Sequence, residues 1–307
     1  MTEQKKSKKR PISGWVVLNK PYDFTSTQAV GKVRWLFSAA KAGHAGTLDP
    51  LATGILPIAL GEATKAVPQV QDGTKVYRFA IKWGSATTTD DAEGSVIATS
   101  DIRPERAALE AVLPQFTGTI LQRPPIYSAL KVDGERAYDL ARAGEAVQLQ
   151  PREIDIDAIE LIEHGTEQSL LEVTCGKGTY IRSLARDMAL ALGTVGHVAR
   201  LRRVAVGPFG ENDMISLEKL VELSHKAPGD NAMEGVLRPI ETVLDGIPAL
   251  AVKDAEAQRL RQGQQVLLRG ASAPIAQDAV LVMWGQRPLG ICSIEKGSLK
   301  PKRLFNL

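Results

Sequence analysis

Cysteine and histidine are scarce in this chain of 307 residues, and their scarcity excludes several kinds of site. The two cysteines, Cys175 and Cys292, are too few for a disulfide framework or a thiolate zinc site. The four histidines include no pair at metal-ligand spacing. No apolar run is long enough to span a bilayer, and we identify no signal peptide. We therefore expect no metal, no redox cofactor, no membrane association and a cytoplasmic location.

Charge of neither sign dominates the chain, but its distribution is uneven. The net charge is +3, with 44% hydrophobic and 24% charged residues, which is ordinary for a soluble protein of two domains. Residues 1–10 carry +4, residues 248–307 carry +5, and the middle of the chain carries −6. Basic ends on a mildly acidic body favour a polyanionic partner bound at the periphery. The alternative for the N-terminal tail is a solvated, disordered segment that contacts nothing.

The most informative segment of the chain surrounds one carboxylate. Its sequence is Gly43-His44-Ala45-Gly46-Thr47-Leu48-Asp49-Pro50. Proline disfavours the helical region for the residue before it, so we expect Asp49 to be extended or in a turn. The two glycines permit backbone conformations and close approaches that a Cβ would block. Asp49 is therefore a candidate nucleophile or base, and the alternative is an aspartate that caps the following turn.

Hydrophobic periodicity predicts a mixture of strands and helices without regular βαβ alternation. We expect strands near residues 14–19, 76–83, 154–158 and 170–175, and a loop over 84–94. Thr25 and Gln28 have capping-box spacing and should open a helix that ends near Gly43. Further helices should begin at Pro104 and after Gly178, the latter ending at Gly193. Residues 248–307 should hold one short helix and several strands, including 280–284 and 289–294. This pattern predicts an α+β fold with a largely antiparallel sheet.

Five segments, in order along the chain, resemble the TruB family of tRNA pseudouridine synthases. The segment that contains the aspartate is His44-Ala45-Gly46-Thr47-Leu48-Asp49-Pro50-Leu51-Ala52-Thr53-Gly54, followed by Gly61-Glu62-Ala63-Thr64-Lys65. The others are Leu18-Asn19-Lys20-Pro21, Tyr77-Arg78, Gly178-Thr179-Tyr180-Ile181-Arg182-Ser183-Leu184 and Leu201-Arg202-Arg203. Together they span roughly residues 14 to 210. The last sixty residues resemble, more loosely, the accessory RNA-binding domain of that family.

The resemblance implies a fold, a domain division and an activity. The fold is that of a pseudouridine synthase, with a central, largely antiparallel mixed sheet flanked by helices and loops, and a small β-rich PUA-like C-terminal domain. The implied division is a basic disordered tail over 1–11, a catalytic domain over 12–246 whose residues 211–246 form a helical linker region, and the PUA-like domain over 247–307. The implied activity is the isomerisation of uridine 55 in the T-loop of tRNA to pseudouridine, on a flipped-out uridine and without a cofactor. The implied partner is tRNA, held at its T-arm and acceptor end by a monomer without an obligatory protein partner.

The resemblance also assigns catalytic roles. Asp49 matches the nucleophile, and since a carboxylate of ordinary pKa is ionised at neutral pH, it needs orientation rather than an activating base. Whether it attacks the uracil ring or the ribose stays open. Arg182 matches the arginine that pairs with the nucleophile. A cation in the first turn of a helix is disfavoured by the helix dipole, which independently suggests an anion nearby. The alternative is an exposed arginine on the same helix face as Arg186.

The remaining site residues concern the substrate. Tyr77 matches the tyrosine placed against the target uracil, where its hydroxyl could also serve in proton transfer, although its strand position also suits a core tyrosine. Tyr180 and Leu201 match positions that line the uridine pocket. His44 matches a residue that contacts the RNA loop, so we assign it to binding. For Lys20 and for the cluster Arg200, Arg202 and Arg203, structural support and phosphate contact both stay open.

The sequence also fits two other functions and contains one misleading motif. An RNA-folding chaperone with a secondary catalytic motif and a subunit of a guide-RNA-dependent synthase complex both fit these residues. Gly176-Lys177-Gly178-Thr179 suggests a phosphate-binding loop, but position 171 is leucine where the P-loop pattern requires glycine, so we discard a nucleoside triphosphatase.

Overall fold

The structure is a computed structural model that describes residues 9–128, 130–132, 134–143, 149–225, 232–268 and 274–307. The predictions for most of the basic tail and for residues 226–231 of the linker region lie outside these residues. Within the described residues, no helix is both long and apolar enough to cross a membrane.

Strands supply most of the regular structure before residue 217. They are β1 (Gly14–Lys20), β2 (Ala42–His44), β3 (Thr53–Leu60), β4 (Lys75–Trp83), β5 (Ser85–Thr87), β6 (Val96–Thr99), β7 (Gly118–Gln122), β8 (Lys131–Val132), β9 (Glu135–Arg136), β10 (Arg152–His164), β11 (Gln168–Cys175), β12 (Gly196–Val206), β13 (Phe209–Gly210) and β14 (Ile215–Ser216). The helices in this part and just after it are α1 (Ser26–Leu36), α2 (Val67–Asp72), α3 (Arg106–Val112), α4 (Ala137–Arg142), α5 (Ile181–Ala191) and α6 (Leu217–Ser224). The C-terminal part contains β15 (Ala249–Val252), α7 (Asp254–Arg261), β16 (Val266–Leu267), β17 (Gln277–Trp284), β18 (Arg287–Glu295) and β19 (Ser298–Leu304).

Among the described residues, ten strands form one mixed sheet in the order β14-β1-β3-β12-β4-β11-β10-β7, with β2 paired to β3 and β13 to β12. Its pairs are antiparallel except β1 with β14 and β3 with β12. The C-terminal strands form a separate five-stranded sheet in the order β15-β17-β18-β19-β16. The predicted α+β class, with a largely antiparallel sheet and a β-rich C-terminal part, is therefore confirmed.

Two apolar clusters pack helices on the large sheet, and a third joins that sheet to the C-terminal one. Leu184 and Met188 of α5 pack on Phe79 and Ile81 of β4, and all four are fully buried. The first helix packs in the same way on β1 and β3, through a cluster that includes Val33. A third cluster joins the two sheets: Trp15, Val17 and Ile55 share it with Leu281, Ile291 and Phe305. Because β3, β12 and β4 are neighbours, their residues meet at the centre of the large sheet, where the candidate site lies.

Several local predictions are confirmed. Thr25 accepts a hydrogen bond from Gln28 N and completes a capping box at the start of α1. The predicted alternation over 76–83 is the strand β4. The helix after Gly178 is α5, and Gly193 beyond its end has φ +70°, as expected for a glycine that terminates a helix.

Two predictions need correction. The first helix ends at Leu36 rather than near Gly43, because residues 42–44 pair as β2 with β3. The segment 84–94 is not entirely loop, because Ser85–Thr87 forms β5 and pairs with β6. Long-range pairing decides both cases, and local periodicity does not report it.

Candidate active site

Asp49 lies on the loop between β2 and β3, and Ser26 fixes the residue before it. The Ser26 hydroxyl is buried, donates to Leu48 O and accepts from Leu48 N, both at 2.9 Å. The following turn is closed by the backbone, since Asp49 O accepts from Ala52 N at 3.1 Å. The Asp49 carboxylate instead faces Arg182. The geometry therefore favours the ion-pair interpretation of Asp49 over the turn-capping one.

Lys20 holds the other side of the same loop. It has no exposed surface, and its ammonium group donates to Pro21 O, Phe24 O and Pro50 O at 2.9, 2.6 and 2.9 Å. Burial lowers the pKa of Lys20 to about 8, against the opposing effects of Asp49 and Asp23. Since its three donors are all used, no donor is left for a phosphate. Of the two roles left open for Lys20, these hydrogen bonds fit structural support of the loop, and a contact with substrate stays a prediction.

Arg182 and Asp49 form an ion pair across the site. Arg182 Nε lies 2.9 Å from Asp49 Oδ2, and Nη2 donates to Oδ1 at 3.3 Å. The Nε contact is a close ion pair rather than an aligned hydrogen bond. The Arg182 side chain is 6% exposed and the Asp49 side chain 37%, so the cation is buried behind a carboxylate that remains accessible. Arg182 is the second residue of α5, so the start of this helix brings the guanidinium to the Asp49 carboxylate.

Further acceptors fix the Arg182 guanidinium. Nη1 donates to Thr89 O and Nη2 donates to Tyr127 O, each at 2.9 Å. The Asp91 carboxylate lies 3.7 Å from Nε, and its side chain is 11% exposed. Asp91 is itself held by Thr89 Oγ1 and by Glu93 N at 3.0 Å. The guanidinium is thus locked in position before any substrate arrives.

Tyr77 lies on the β4 face that carries the core residues and is partly exposed. Burial raises the pKa of its hydroxyl, and the Arg203 guanidinium, 6.0 Å from the ring centroid, opposes that shift. The Asp49 charge also raises the pKa of Tyr77, so the tyrosine lies within electrostatic range of the carboxylate. At neutral pH the hydroxyl is protonated.

Tyr180 is the N-cap residue of α5 and is partly exposed. Its backbone is clamped by Gln122, whose amide oxygen accepts from Tyr180 N at 2.8 Å and whose amide nitrogen donates to Tyr180 O at 3.1 Å. Burial raises the pKa of its hydroxyl, to which the Asp49 charge also contributes. Tyr180 therefore lies next to the start of the helix that presents Arg182.

Leu201 lies on β12 and lines a cleft that contains the ion pair. The cleft is lined by Asp49, Leu51, Ala52, Asp91, Arg182, Val198, Ala199, Arg200 and Leu201. The lining thus combines the charged side chains of Asp49, Asp91, Arg182 and Arg200 with apolar ones such as Leu51, Val198 and Leu201. Arg200 is exposed at this cleft, whereas Arg203 is buried and donates to Ile55 O at 2.8 Å and Gly46 O at 3.1 Å.

His44 ends β2 and is half-buried. Burial lowers its pKa, and the nearby Arg203 lowers it further. The imidazole is therefore neutral at pH 7. Its Nδ1 atom is buried without a hydrogen-bond partner in the described part of the chain.

The structure brings Asp49, Arg182 and Leu201 into one cleft, whereas Tyr77 and Tyr180 do not line that cleft and lie within electrostatic range of Asp49. Sequence reasoning did not find Ser26, Asp91 or Gln122. Asp91 follows Asp90 in a polar stretch predicted as loop, and Gln122 ends an edge strand, so neither carried a local signal. Among the described residues, no group of three or more histidines, cysteines or acids is placed to hold a metal ion.

Comparison with protein families gives three matches along the chain. The TruB family pseudouridylate synthase N-terminal domain matches residues 34–181. The tRNA pseudouridylate synthase B C-terminal domain matches residues 182–245, and the pseudouridine synthase II TruB C-terminal domain matches residues 248–305.

Similar proteins carry related names. The chain is 56% identical over 301 residues to tRNA pseudouridine synthase B of Rhodopseudomonas palustris, covering 97% of this chain and 82% of that protein. It is 50% identical over 321 residues to tRNA pseudouridine synthase B of Brucella ovis, covering 99% of both. Among solved structures, a chain of a Cbf5-Nop10-Gar1 complex superposes with a TM-score of 0.75 at 26% identity, covering 95% of this chain and 84% of that one. The chain therefore belongs to the TruB family of pseudouridylate synthases.

Proposed function

We propose that this enzyme converts uridine 55 in the T-loop of tRNA to pseudouridine, with Asp49 as the nucleophile. The observation that carries the proposal is the ion pair of Asp49 with Arg182, whose cation is 6% exposed while its carboxylate opens to the cleft. Relatives at 47–56% identity are named tRNA pseudouridine synthase B, which supports tRNA as the substrate class.

The reaction is an isomerisation that keeps all the atoms of the nucleoside. The bond between N1 of uracil and C1′ of the ribose breaks, the base rotates, and a bond forms between C5 and C1′. C5 then loses its proton, and N1 ends as an N–H group. Asp49 attacks and later leaves, so the carboxylate is regenerated. Arg182 orients the carboxylate and stabilises its charge when the cleft is closed to water.

The residues around the ion pair hold the flipped base. Tyr77 and Tyr180 offer aromatic surface, and stacking on an aromatic ring contributes about 1–3 kcal/mol per base. Leu201 forms the apolar wall. The neutral imidazole of His44 contacts the RNA loop as a hydrogen-bonding or stacking group rather than as a phosphate-binding cation.

We extend the proposal to the division of labour along the chain. Residues 12–246 form the catalytic domain and take the T-arm, while residues 247–307 form a PUA-like domain that takes the acceptor end. The positive charge of residues 248–307, +5, supports contact with a nucleic acid there. The enzyme acts as a monomer in the cytoplasm.

The test is the activity of the purified chain on a bare T-arm hairpin, followed by mass mapping after chemical derivatisation of pseudouridine, because the product has the same mass as uridine. We expect product at the position of uridine 55 and no product when that uridine is replaced by cytidine. The alternative is that this chain works only within a larger assembly. The observation that supports this alternative is the similarity to a chain of a Cbf5-Nop10-Gar1 complex. Absence of product from the hairpin and from full-length tRNA would favour that alternative and overturn the proposal.

A further inference from the structure

Two arginines on consecutive turns of α5 crosslink the same two loops. Arg182 and Arg186 are four residues apart and therefore point from the same face of the helix. Each donates to the segment 87–91 and to the segment 123–127. We call the contacts of Arg182 the inner crosslink and those of Arg186 the outer crosslink.

The outer crosslink repeats the geometry of the inner one. Arg186 Nη1 donates to Asp90 Oδ2 at 2.9 Å, and Nη2 donates to Arg123 O at 3.0 Å. Its Nε donates to Asp187 Oδ1 at 2.9 Å, which fixes the guanidinium plane. The side chains of Arg186 and Asp90 are 24% and 16% exposed, so this pair is better shielded from solvent than an ordinary surface ion pair.

The two crosslinks meet at one peptide group. Thr89 O, which accepts from Arg182, belongs to the peptide bond that leads into Asp90, whose carboxylate binds Arg186. Asp90 adopts φ +61°, a conformation that aspartate tolerates better than most residues. Its carbonyl accepts from Val198 N at 3.0 Å, which ties the segment to β12. A displaced Asp90 would therefore move the Thr89 carbonyl that orients Arg182.

The second loop is shared in the same way. Arg123 O and Tyr127 O lie four residues apart, and each accepts from one of the two arginines. Because the guanidinium of Arg182 depends on Tyr127 O, the path of this loop also affects the ion pair with Asp49. Arg186 touches neither the cleft nor Asp49 among the described residues, so any effect on the reaction must pass through these two loops.

We propose that Arg186 and Asp90 are positioning residues for pseudouridine formation: the outer crosslink holds both loops so that Arg182 keeps Asp49 aligned. This inference rests on the proposed function. It assigns to Arg186, which the sequence places only on the same helix face as Arg182, a role in catalysis without contact with substrate.

The test compares Arg186→Met with wild type on the T-arm hairpin, measuring the single-turnover rate at saturating enzyme, the hairpin dissociation constant and the thermal midpoint. Methionine keeps the apolar stem and removes every donor. We expect the rate to fall about tenfold or more, since small misplacements of reacting groups cost up to about a hundredfold, while the dissociation constant changes little. The double variant Arg186→Met/Asp90→Asn should be no slower than Arg186→Met, because the two residues act as one unit.

The matched control is Arg238→Met. It removes an ion pair that does not line the cleft, in which Arg238 Nη2 lies 3.0 Å from Asp213 Oδ1. It should leave the rate near wild type. Should Arg186→Met fail to fold, Arg186→Lys carries the test, because lysine keeps the charge but cannot reproduce the planar set of bonds to Asp90, Asp187 and Arg123 O. Its rate should fall by about threefold to tenfold.

Each other outcome overturns the inference. A rate within about twofold of wild type, a rate loss matched by an equal loss of binding, or losses that multiply in the double variant would exclude positioning by the pair. If neither Arg186 variant folds, the outer crosslink is needed for folding, and the inference of a positioning role is overturned. An inactive wild type would instead refute the proposed function, which separates the two failures.

Discussion

At the residue scale, the two charged groups of the central ion pair differ in their exposure to solvent. The Arg182 side chain is 6% exposed and contacts five oxygen atoms, whereas the Asp49 side chain is 37% exposed. A buried guanidinium is stable only with its partners in place, so the fold requires the carboxylate and the loop carbonyls together. The group that must react is the one that remains accessible.

Tyr77→Phe tests the hydroxyl of the partly buried tyrosine. Because burial keeps the pKa of this hydroxyl above its usual value, it is available as a proton donor at neutral pH. We expect hairpin binding close to wild type and a single-turnover rate lower by about 10²-fold, the lower end for general acid–base catalysis. An unchanged rate would exclude the hydroxyl from proton transfer and leave Tyr77 a stacking role only.

Lys20→Met tests the pH dependence that follows from the buried ammonium. The pKa of Lys20 is about 8 in the folded protein and near 10.5 when unfolded. Between these values the unfolded chain binds more protons, so this group makes the free energy of unfolding rise with pH from about 8 to 10.5. The difference in unfolding free energy between wild type and Lys20→Met, from urea titrations at pH 7 and pH 10, should therefore shift towards wild type at the higher pH. A pH-independent difference would contradict the lowered pKa.

At the element scale, segments with strong local signals were predictable, and segments defined by distant partners were not. The capping box of α1, the alternation of β4 and the glycine after α5 are local patterns, and each gave the correct element. The strand β12 was not predicted, although it lies at the centre of the sheet between β3 and β4. Its sequence contains Arg200, Arg202 and Arg203, which suggests exposure. Arg203 is nevertheless buried, because the carbonyls of Ile55 and Gly46 satisfy it from elsewhere in the chain.

The candidate site was predictable to the same degree. Asp49, Arg182 and Leu201 were identified through ordered motifs, and the structure places them in one cleft. Lys20 was recognised as important, but the sequence could not distinguish phosphate contact from a cage of three carbonyl oxygens. Gln122 was missed because its partner is the backbone of Tyr180, far along the chain, and Asp91 was missed because its place in the site depends on the distant Arg182 side chain.

Gly54→Ala tests the contact between β3 and β12. Gly54 has φ +96°, and a Cβ there would lie 2.2 Å from Arg203 O, so the strands would have to separate. We expect a loss of at least about 2 kcal/mol in the free energy of unfolding. Gly31→Ala is the matched control, since a Cβ at Gly31 in α1 would contact nothing within 4 Å. That change should stabilise the protein by about 0.5–1 kcal/mol through helix propensity. Equal effects at both positions in urea titrations would contradict this account.

At the scale of the whole molecule, the two sheets are joined rather than merely tethered. Phe305 and Ile291 of the C-terminal part share an apolar cluster with Trp15 of β1. Lys65 Nζ donates to Leu304 O at 2.6 Å, and Asn306 N donates to Glu62 at 2.7 Å. The C-terminal sheet thus has a defined position next to the catalytic part, which suits a substrate with two separated contact regions.

The salt dependence of binding tests the proposed contact between the C-terminal part and the acceptor end. Full-length tRNA should lose affinity more steeply with salt than a T-arm hairpin, because each additional phosphate contact adds about 0.7–0.9 to the slope of log affinity against log salt. Titrations from low to high salt with both RNAs measure the two slopes. Equal slopes would mean that the basic C-terminal part does not bind the acceptor end.

The most direct measurement is pseudouridine formation by purified Asp49→Asn on a T-arm hairpin, in a single turnover with deamidation excluded by mass. The substitution keeps the shape of the side chain and removes its negative charge. We expect the variant to bind the hairpin and to form no product, because the other described carboxylate of the cleft, Asp91, is only 11% exposed and is held by Thr89 and Glu93. Clear residual product from this variant would contradict the assignment of Asp49 as the nucleophile.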